Sequence, residues 1–154
     1  MLNYALTQVV EQGTAARLPG LLGSQATVAG KTGTTNDRRD SWFVGYTRNR
    51  VAAAWVGADD NRPVGVTGSN AAMHIWAGLF RQLPLEPVDL RMPDGAFWLW
   101  VDPASGRLSA ERCADAVQLP YVDGSEPREA TACLAAELEQ DKPSIWRKLF
   151  GKKQ

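Results

Sequence analysis

Apolar positions along this chain fall into short continuous runs at some places and at helical steps in others. Leu2 to Gln12 reads as a helix, ended by Gly13 with Pro19-Gly20. Residues 26–32 are small or β-branched and read as a strand. Asp40–Thr47 and Val51–Gly57 read as two more strands around a polar turn, Arg48-Asn49-Arg50, of hairpin length. Both runs are apolar almost throughout, which suits strands covered on two faces, and the short connections predict antiparallel pairing. Ala58–Pro63 breaks the pattern with turn chemistry. From Ser69 to Leu83, apolar residues recur at Ala72, Ile75, Trp76, Leu79, Phe80 and Leu83, which predicts an amphipathic helix capped by Ser69 or Asn70.

The second half is organised differently. A Pro-rich stretch, residues 84–93, reads as a linker. Phe97–Val101 followed by Asp102–Gly106 reads as a strand and turn opening a small module over 94–140, and Leu119–Gly124 with Pro127 continues it with turn chemistry. Its aromatic run suits the core of a module with little else to bury, or a surface for a partner or glycan. The last residues, 141–154, form a basic tail in which Ser144–Lys153 reads as a short amphipathic helix with a serine cap. The fold class expected is therefore α+β: an antiparallel sheet flanked by helices over residues 1–83, plus a small β-rich tail module.

Composition narrows the function classes. The chain has 154 residues with 17 basic against 17 acidic side chains, so no basic excess points to nucleic acid. Hydrophobic residues make up 44%, enough for one core and a small satellite. No apolar run approaches the roughly twenty residues of a membrane-spanning helix, and no signal peptide is evident. His74 is the only histidine, which rules out a histidine-based metal cluster, and it reads as a structural or surface residue. No cofactor is implied. Cys113 and Cys133 close a loop of about twenty residues in a Gly-, Pro- and Asp-rich stretch, which suits a disulfide in an oxidising compartment; two reduced, unrelated cysteines are the alternative.

The chemistry concentrates in Lys31-Thr32-Gly33-Thr34-Thr35, one cation, three hydroxyls and a residue without a side chain. Two motifs use similar letters. The phosphate-cradling loop G-x-x-x-x-G-K-[ST] needs a glycine at position 25, which is Gln25, and Gly23 lies two residues too early. That loop must also open a helix, whereas Gly33, Thr34, Thr35 and Asn36 are poor helix formers. The K-T-G element of penicillin-interacting serine enzymes lies instead on a strand, where a glycine marks close approach of a ligand to the backbone. A buried strand ending in a Thr-Gly turn would carry the same triplet.

The surroundings separate these readings. Ala29-Gly30-Lys31-Thr32-Gly33-Thr34-Thr35-Asn36, then Asp40–Tyr46, then Ala54-Trp55-Val56-Gly57 resemble the C-terminal part of the transpeptidase domain of class A, bifunctional penicillin-binding proteins. The resemblance covers about residues 1–83, and the tail from about 94 resembles, more loosely, the C-terminal extension of the 1B type. It implies acyl transfer on D-Ala-D-Ala stem peptides, with β-lactams as inhibitors, on the periplasmic face of the bacterial inner membrane. By that resemblance Thr32 and Thr34 would hold the peptide carboxylate, with Gly33 and Thr35 beside them. The Thr34 N–H would be one of two oxyanion donors, each worth on the order of 3 kcal/mol in barrier height. Lys31 would sit beside the serine of the family's second motif, and Gly33 would keep the strand edge open to substrate.

The nucleophile has no counterpart here. None of the seven serines, at 24, 41, 69, 105, 109, 125 and 144, has lysine three positions on, and none begins S-x-N. The expectation is thus a fragment of a peptidoglycan synthase, its nucleophile, membrane anchor and glycosyltransferase domain lying upstream of Met1, inactive by itself, with cell-envelope proteins as further partners. A non-catalytic module that binds peptidoglycan or a regulatory partner is the competing reading, and a nucleotide enzyme the third.

Overall fold

The computed structural model describes residues 1–23 and 27–136. Ala26, at the start of the expected first strand, and the basic tail at 141–154 lie outside the described residues. The chain divides into two compact units, Met1–Arg91 and the part from Met92 onward.

The first unit begins with α1 (Leu2–Glu11) and continues with α2 (Leu18–Leu22), β1 (Ala29–Thr34), β2 (Asp40–Tyr46), β3 (Val51–Gly57) and α3 (Ala72–Phe80). The strands form an antiparallel sheet in the order β1-β2-β3, so the fold class is α+β with helices flanking an antiparallel sheet. Helix α2 falls where Pro19-Gly20 signals a stop, because proline is tolerated in the first turn of a helix, where its missing N–H has no intrahelical partner. Gly23, left-handed at φ 64°, ends it. Strand β1 starts later than expected and runs on through Gly33 and Thr34.

The core lies on one face of this sheet. Phe43, fully buried, meets Trp76 edge-on with ring centroids 5.4 Å apart, and Trp76 stacks on Phe80 one helical turn on. The Trp76 indole N–H donates to the Ala52 carbonyl at 3.1 Å, which satisfies the ring's polar atom. Gly45 makes room for that indole, since a methyl there would lie 2.9 Å from it. The buried stripe of α3 is Ala72, Met73, Trp76, Ala77 and Phe80. Ile75 and Leu79, expected in the core, are 57% and 53% exposed, and His74 is exposed beside them. Neither expected residue caps α3: its cap position is Ala71, and the Asn70 side chain accepts the Thr67 N–H instead.

The other sheet face is open among the described residues. Trp42, Val44 and Trp55 are 41%, 43% and 44% exposed, so the apolar runs of β2 and β3 are covered on one face and not on two. The segment read as a linker is bonded to the first unit as far as Val88. Arg48 N–H donates to the Glu86 carbonyl, Arg50 to the Pro84 carbonyl, and Val88 N–H to the Thr27 carbonyl.

The second unit holds β4 (Ala96–Asp102), β5 (Arg107–Leu108) and β6 (Val117–Val122), antiparallel in the order β5-β4-β6. Strand β6 spans Leu119-Pro120, where turn chemistry was expected. Proline fits there because β6 is an edge strand, whose outward N–H has no ladder partner to lose. The aromatic run is divided: Val101 is buried, whereas Trp98 is 41% exposed. Cys113 and Cys133 are joined by a disulfide, closing a loop of 20 residues.

Two outcomes are expected. Cys133→Ala should cost the second unit about 3 kcal/mol of stability by the loop-closure argument, read as a lower urea midpoint for the fluorescence of Trp98 and Trp100. In the first unit the Tyr46 hydroxyl donates to Asn3 Oδ1 at 2.8 Å, and burial raises its pKa above the ordinary 10.0. The protonated phenol is thus favoured by folding. Its contribution is complete below the unfolded value near 10 and is lost as pH rises through the higher folded value. Unfolding titrations above pH 10 should show this loss in the wild type and not in Tyr46→Phe.

Candidate functional site

Strand β1 carries Lys31, Thr32, Gly33 and Thr34, with Thr35 directly after it, and its register determines which way each points. It pairs with β2 as Lys31 with Val44, Thr32 with Phe43, Gly33 with Trp42 and Thr34 with Ser41. One bond sets the alternation: Thr35 N–H donates to the Asp40 carbonyl at 3.2 Å, directly across the ladder. In an antiparallel pair such bonded positions alternate with positions whose N–H and C=O turn outward. Gly33 and Lys31 therefore face β2 through their backbone, and the N–H groups of Thr34 and Thr32 point away from it. No described strand covers that edge. Lys31 Nζ curls round to the outward Thr32 carbonyl at 2.7 Å.

Side chains alternate as well, so the K-T-G-T letters divide between two faces. Lys31 and Gly33 lie on the open face with Val44 and Trp42. Thr32 and Thr34 lie on the side of Phe43 and Ser41, and both hydroxyls are already engaged. The Thr34 Oγ1 accepts the Gly68 N–H at 3.1 Å, which leaves its own proton free to donate. The hydroxyls of Thr32 and Thr14 share one bond of 2.7 Å, which leaves one further proton between them. A methyl on Gly33 would come within 3.1 Å of Trp42 Cβ, so the neighbour that limits this position is on the open face and not at the edge.

The segment before α3 holds Thr34 in place. The Arg38 carbonyl accepts the N–H groups of Val64 and Gly65. Ser41, fully buried, donates its hydroxyl to the Thr67 carbonyl at 2.8 Å and accepts the Ala72 N–H at 3.2 Å. Between these anchors Gly68 rests on the ladder itself, where any Cβ would collide with the Trp42 carbonyl and lie 2.7 Å from the Gly33 carbonyl. Thr35 is fixed separately: its Oγ1 accepts the Asp40 N–H at 2.8 Å and donates to Asp40 Oδ2, while Asp40 Oδ1 accepts the Trp55 indole N–H at 2.9 Å. Sequence reasoning missed Thr14, Ser41, Thr67 and Gly68. The signal available was thin, a Gly-Thr pair ending α1 and a Thr-Gly-Ser-Asn turn before α3. Among the described residues no group of three or more His, Cys, Asp or Glu is placed to hold a metal ion, and no helix is long and apolar enough to cross a membrane.

Gly68→Ala should therefore displace the segment before α3 from the β1–β2 ladder. The expected cost is about 1–3 kcal/mol, measured by urea denaturation, with faster hydrogen exchange at the Gly33–Trp42 pair.

No protein-family model matches the chain. Curated relatives do. Penicillin-binding protein 1B of Vibrio cholerae is 36% identical over 150 residues, 96% of this chain and 18% of that protein. Penicillin-binding protein 1A of Aquifex aeolicus is 36% identical over 86% of this chain and 18% of its own length. Penicillin-binding protein 1B of Escherichia coli is 31% identical over 89% of this chain and 15% of its own length. The crystal structure of penicillin-binding protein 1A from Haemophilus influenzae superposes with a TM-score of 0.73 at 25% identity, over 84% of this chain and 20% of that one. The chain thus spans at most about a fifth of the length of these relatives. Across nearly all of its residues it belongs to the class A penicillin-binding proteins of the 1A and 1B types, most like the 1B type.

Proposed function

We propose that this chain supplies the substrate-gripping strand of a serine-type D,D-transpeptidase that cross-links peptidoglycan stem peptides. The observation that carries this reading is the edge of β1, where the N–H groups of Thr32 and Thr34 turn outward beside the Thr34 hydroxyl, whose proton is free to donate, and the Thr14–Thr32 hydroxyl pair, which keeps one proton. An extended peptide laid along such an edge meets main-chain donors and acceptors at strand spacing. Its terminal carboxylate accepts from Thr32 and Thr34, and the carbonyl under attack places its developing negative charge against the Thr34 N–H. Lys31, on the open face but able to reach the edge, adds positive potential beside the nucleophile.

That nucleophile is a serine of an S-x-x-K motif, and none of the chain's seven serines has the lysine. Acylation accordingly requires residues beyond these 154, and the activity belongs to a longer polypeptide with this strand in it. Peptidoglycan synthesis by that protein, β-lactam binding, glycosyltransferase activity and a position on the periplasmic face of the inner membrane follow from the same reading. The relatives' names support penicillin binding, and the edge geometry supports the peptide grip.

Intact-mass spectrometry after exposure to benzylpenicillin is the test. This chain should keep its mass. A polypeptide that joins it to an S-x-x-K-bearing transpeptidase segment should gain one adduct, formed on the order of a hundredfold more slowly in Lys31→Ala. A stoichiometric adduct on the isolated chain would contradict the reading. Non-covalent binding of stem peptide by the chain, with no effect of Lys31→Ala on acylation in the longer protein, would favour the binding-module alternative.

A further inference from the structure

Next to the two threonines lies a cavity of about 410 Å³ that the peptide grip leaves unused. Thr14 and Arg17, from the turn joining α1 to α2, wall one side; Thr67, Ser69 and Asn70 wall the other. Two bonds connect it to β1, Thr14 to the Thr32 hydroxyl and Gly68 N–H to the Thr34 hydroxyl. Besides Gly13 and Ala16, the lining offers hydroxyls, one amide and one guanidinium, and no carboxylate.

Its polar groups are arranged to donate. Asn70 spends its amide oxygen on the Thr67 N–H at 2.6 Å, so its NH₂ keeps its hydrogens. The hydroxyls of Thr67 and Ser69 share one bond of 3.1 Å and retain one further proton between them. The Arg17 side chain lines the cavity, is exposed and makes no hydrogen bond or ion pair with a described residue, so its guanidinium is available to an anion there. The volume lies within the range of small-molecule pockets and exceeds what a single carboxylate fills, so a side chain with a charged end fits.

Resting on the reading of β1 as a peptide-gripping strand, we propose that this cavity is a specificity pocket for a second carboxylate of the peptide, upstream of the terminal one, with Arg17 as its counter-charge. The terminal carboxylate goes to Thr32 and Thr34. The upstream acidic side chain turns off the strand edge into the cavity, where the planar guanidinium fork matches a carboxylate in two parallel bonds. Thr14 belongs to both sites, so the two carboxylates are read by one continuous hydroxyl cluster.

The test is calorimetric titration of the full chain with two synthetic peptides ending in D-Ala-D-Ala. One carries a glutamate upstream, the other a glutamine at the same place. The glutamate peptide should bind about tenfold tighter, and added salt should shrink that preference. Arg17→Gln should abolish the preference and leave the Kd of the glutamine peptide unchanged, and Arg17→Lys should keep part of it. An unchanged melting temperature in Arg17→Gln, whose side chain bonds to no described residue, excludes a folding defect. Thr34→Val should weaken both peptides alike, which tests the grip separately. Equal affinity of the wild type for both peptides, or equal weakening of both by Arg17→Gln, overturns the pocket while leaving the grip standing. A preference that survives Thr34→Val with both affinities unaltered supports the pocket and overturns the grip. No binding of either peptide to the wild type overturns both.

Discussion

The arrangement of the first unit depends on one close approach. Gly68 lies against the Gly33–Trp42 pair of the ladder at a distance that admits a hydrogen and no carbon. Because it fits, its N–H reaches the Thr34 hydroxyl, the preceding carbonyl of Thr67 reaches the buried Ser41 hydroxyl, and α3 starts with its Ala72 N–H on that same hydroxyl. The helix then lies over β2 and β3 with Trp76 between Phe43 and Phe80. Core packing and site geometry thus share one contact. An interior this densely packed transmits a displacement of even a methyl group, and here the path from such a displacement to Thr34 is a single bond.

Much of this was legible in the sequence, for reasons particular to each element. Strands β2 and β3 announce themselves because Trp, Phe, Val and Tyr cluster between polar turns, and the three-residue turn leaves only antiparallel pairing. Helix α3 was legible in type but not in rotation. Ala72, Ile75, Trp76, Leu79 and Phe80 describe one stripe, and Ala72, Met73, Trp76, Ala77 and Phe80 another, on a helix whose composition is apolar nearly all round. Periodicity cannot choose between them; the large ring of Trp76 and the gap left by Gly45 do. Helix α2 and strand β6 were read as turns because proline carries the same letter whether it stops a segment or occupies a first turn or an edge.

The site shows the same division. Lys31, Thr32, Gly33 and Thr34 are recognisable as a motif, and the register then assigns them to opposite faces and to an open edge. What the sequence hides is the second layer. Thr14 lies 18 positions from Thr32 and Thr67 lies 26 from Ser41, and nothing local marks either as a partner. Their roles exist only once the turn after α1 and the segment before α3 converge on one end of β1. The division into two units has a similar character: the proline-rich stretch signals a break, but the bonds at Glu86 and Val88 carry the first unit well into it.

Because the outward donors of β1 are main-chain N–H groups, side-chain replacement at residues 32 and 34 leaves them in place; what they depend on is parity. Inserting or deleting one residue between Ala29 and Thr34 would turn those amides toward β2 and exchange the Lys31 face with the threonine face, although every neighbouring letter survived. The main-chain donors of the strand are therefore open to drift in the side chains that carry them and closed to drift in residue number. Homologous chains that preserve this edge should differ in length at the turns on either side of β1, and not within it.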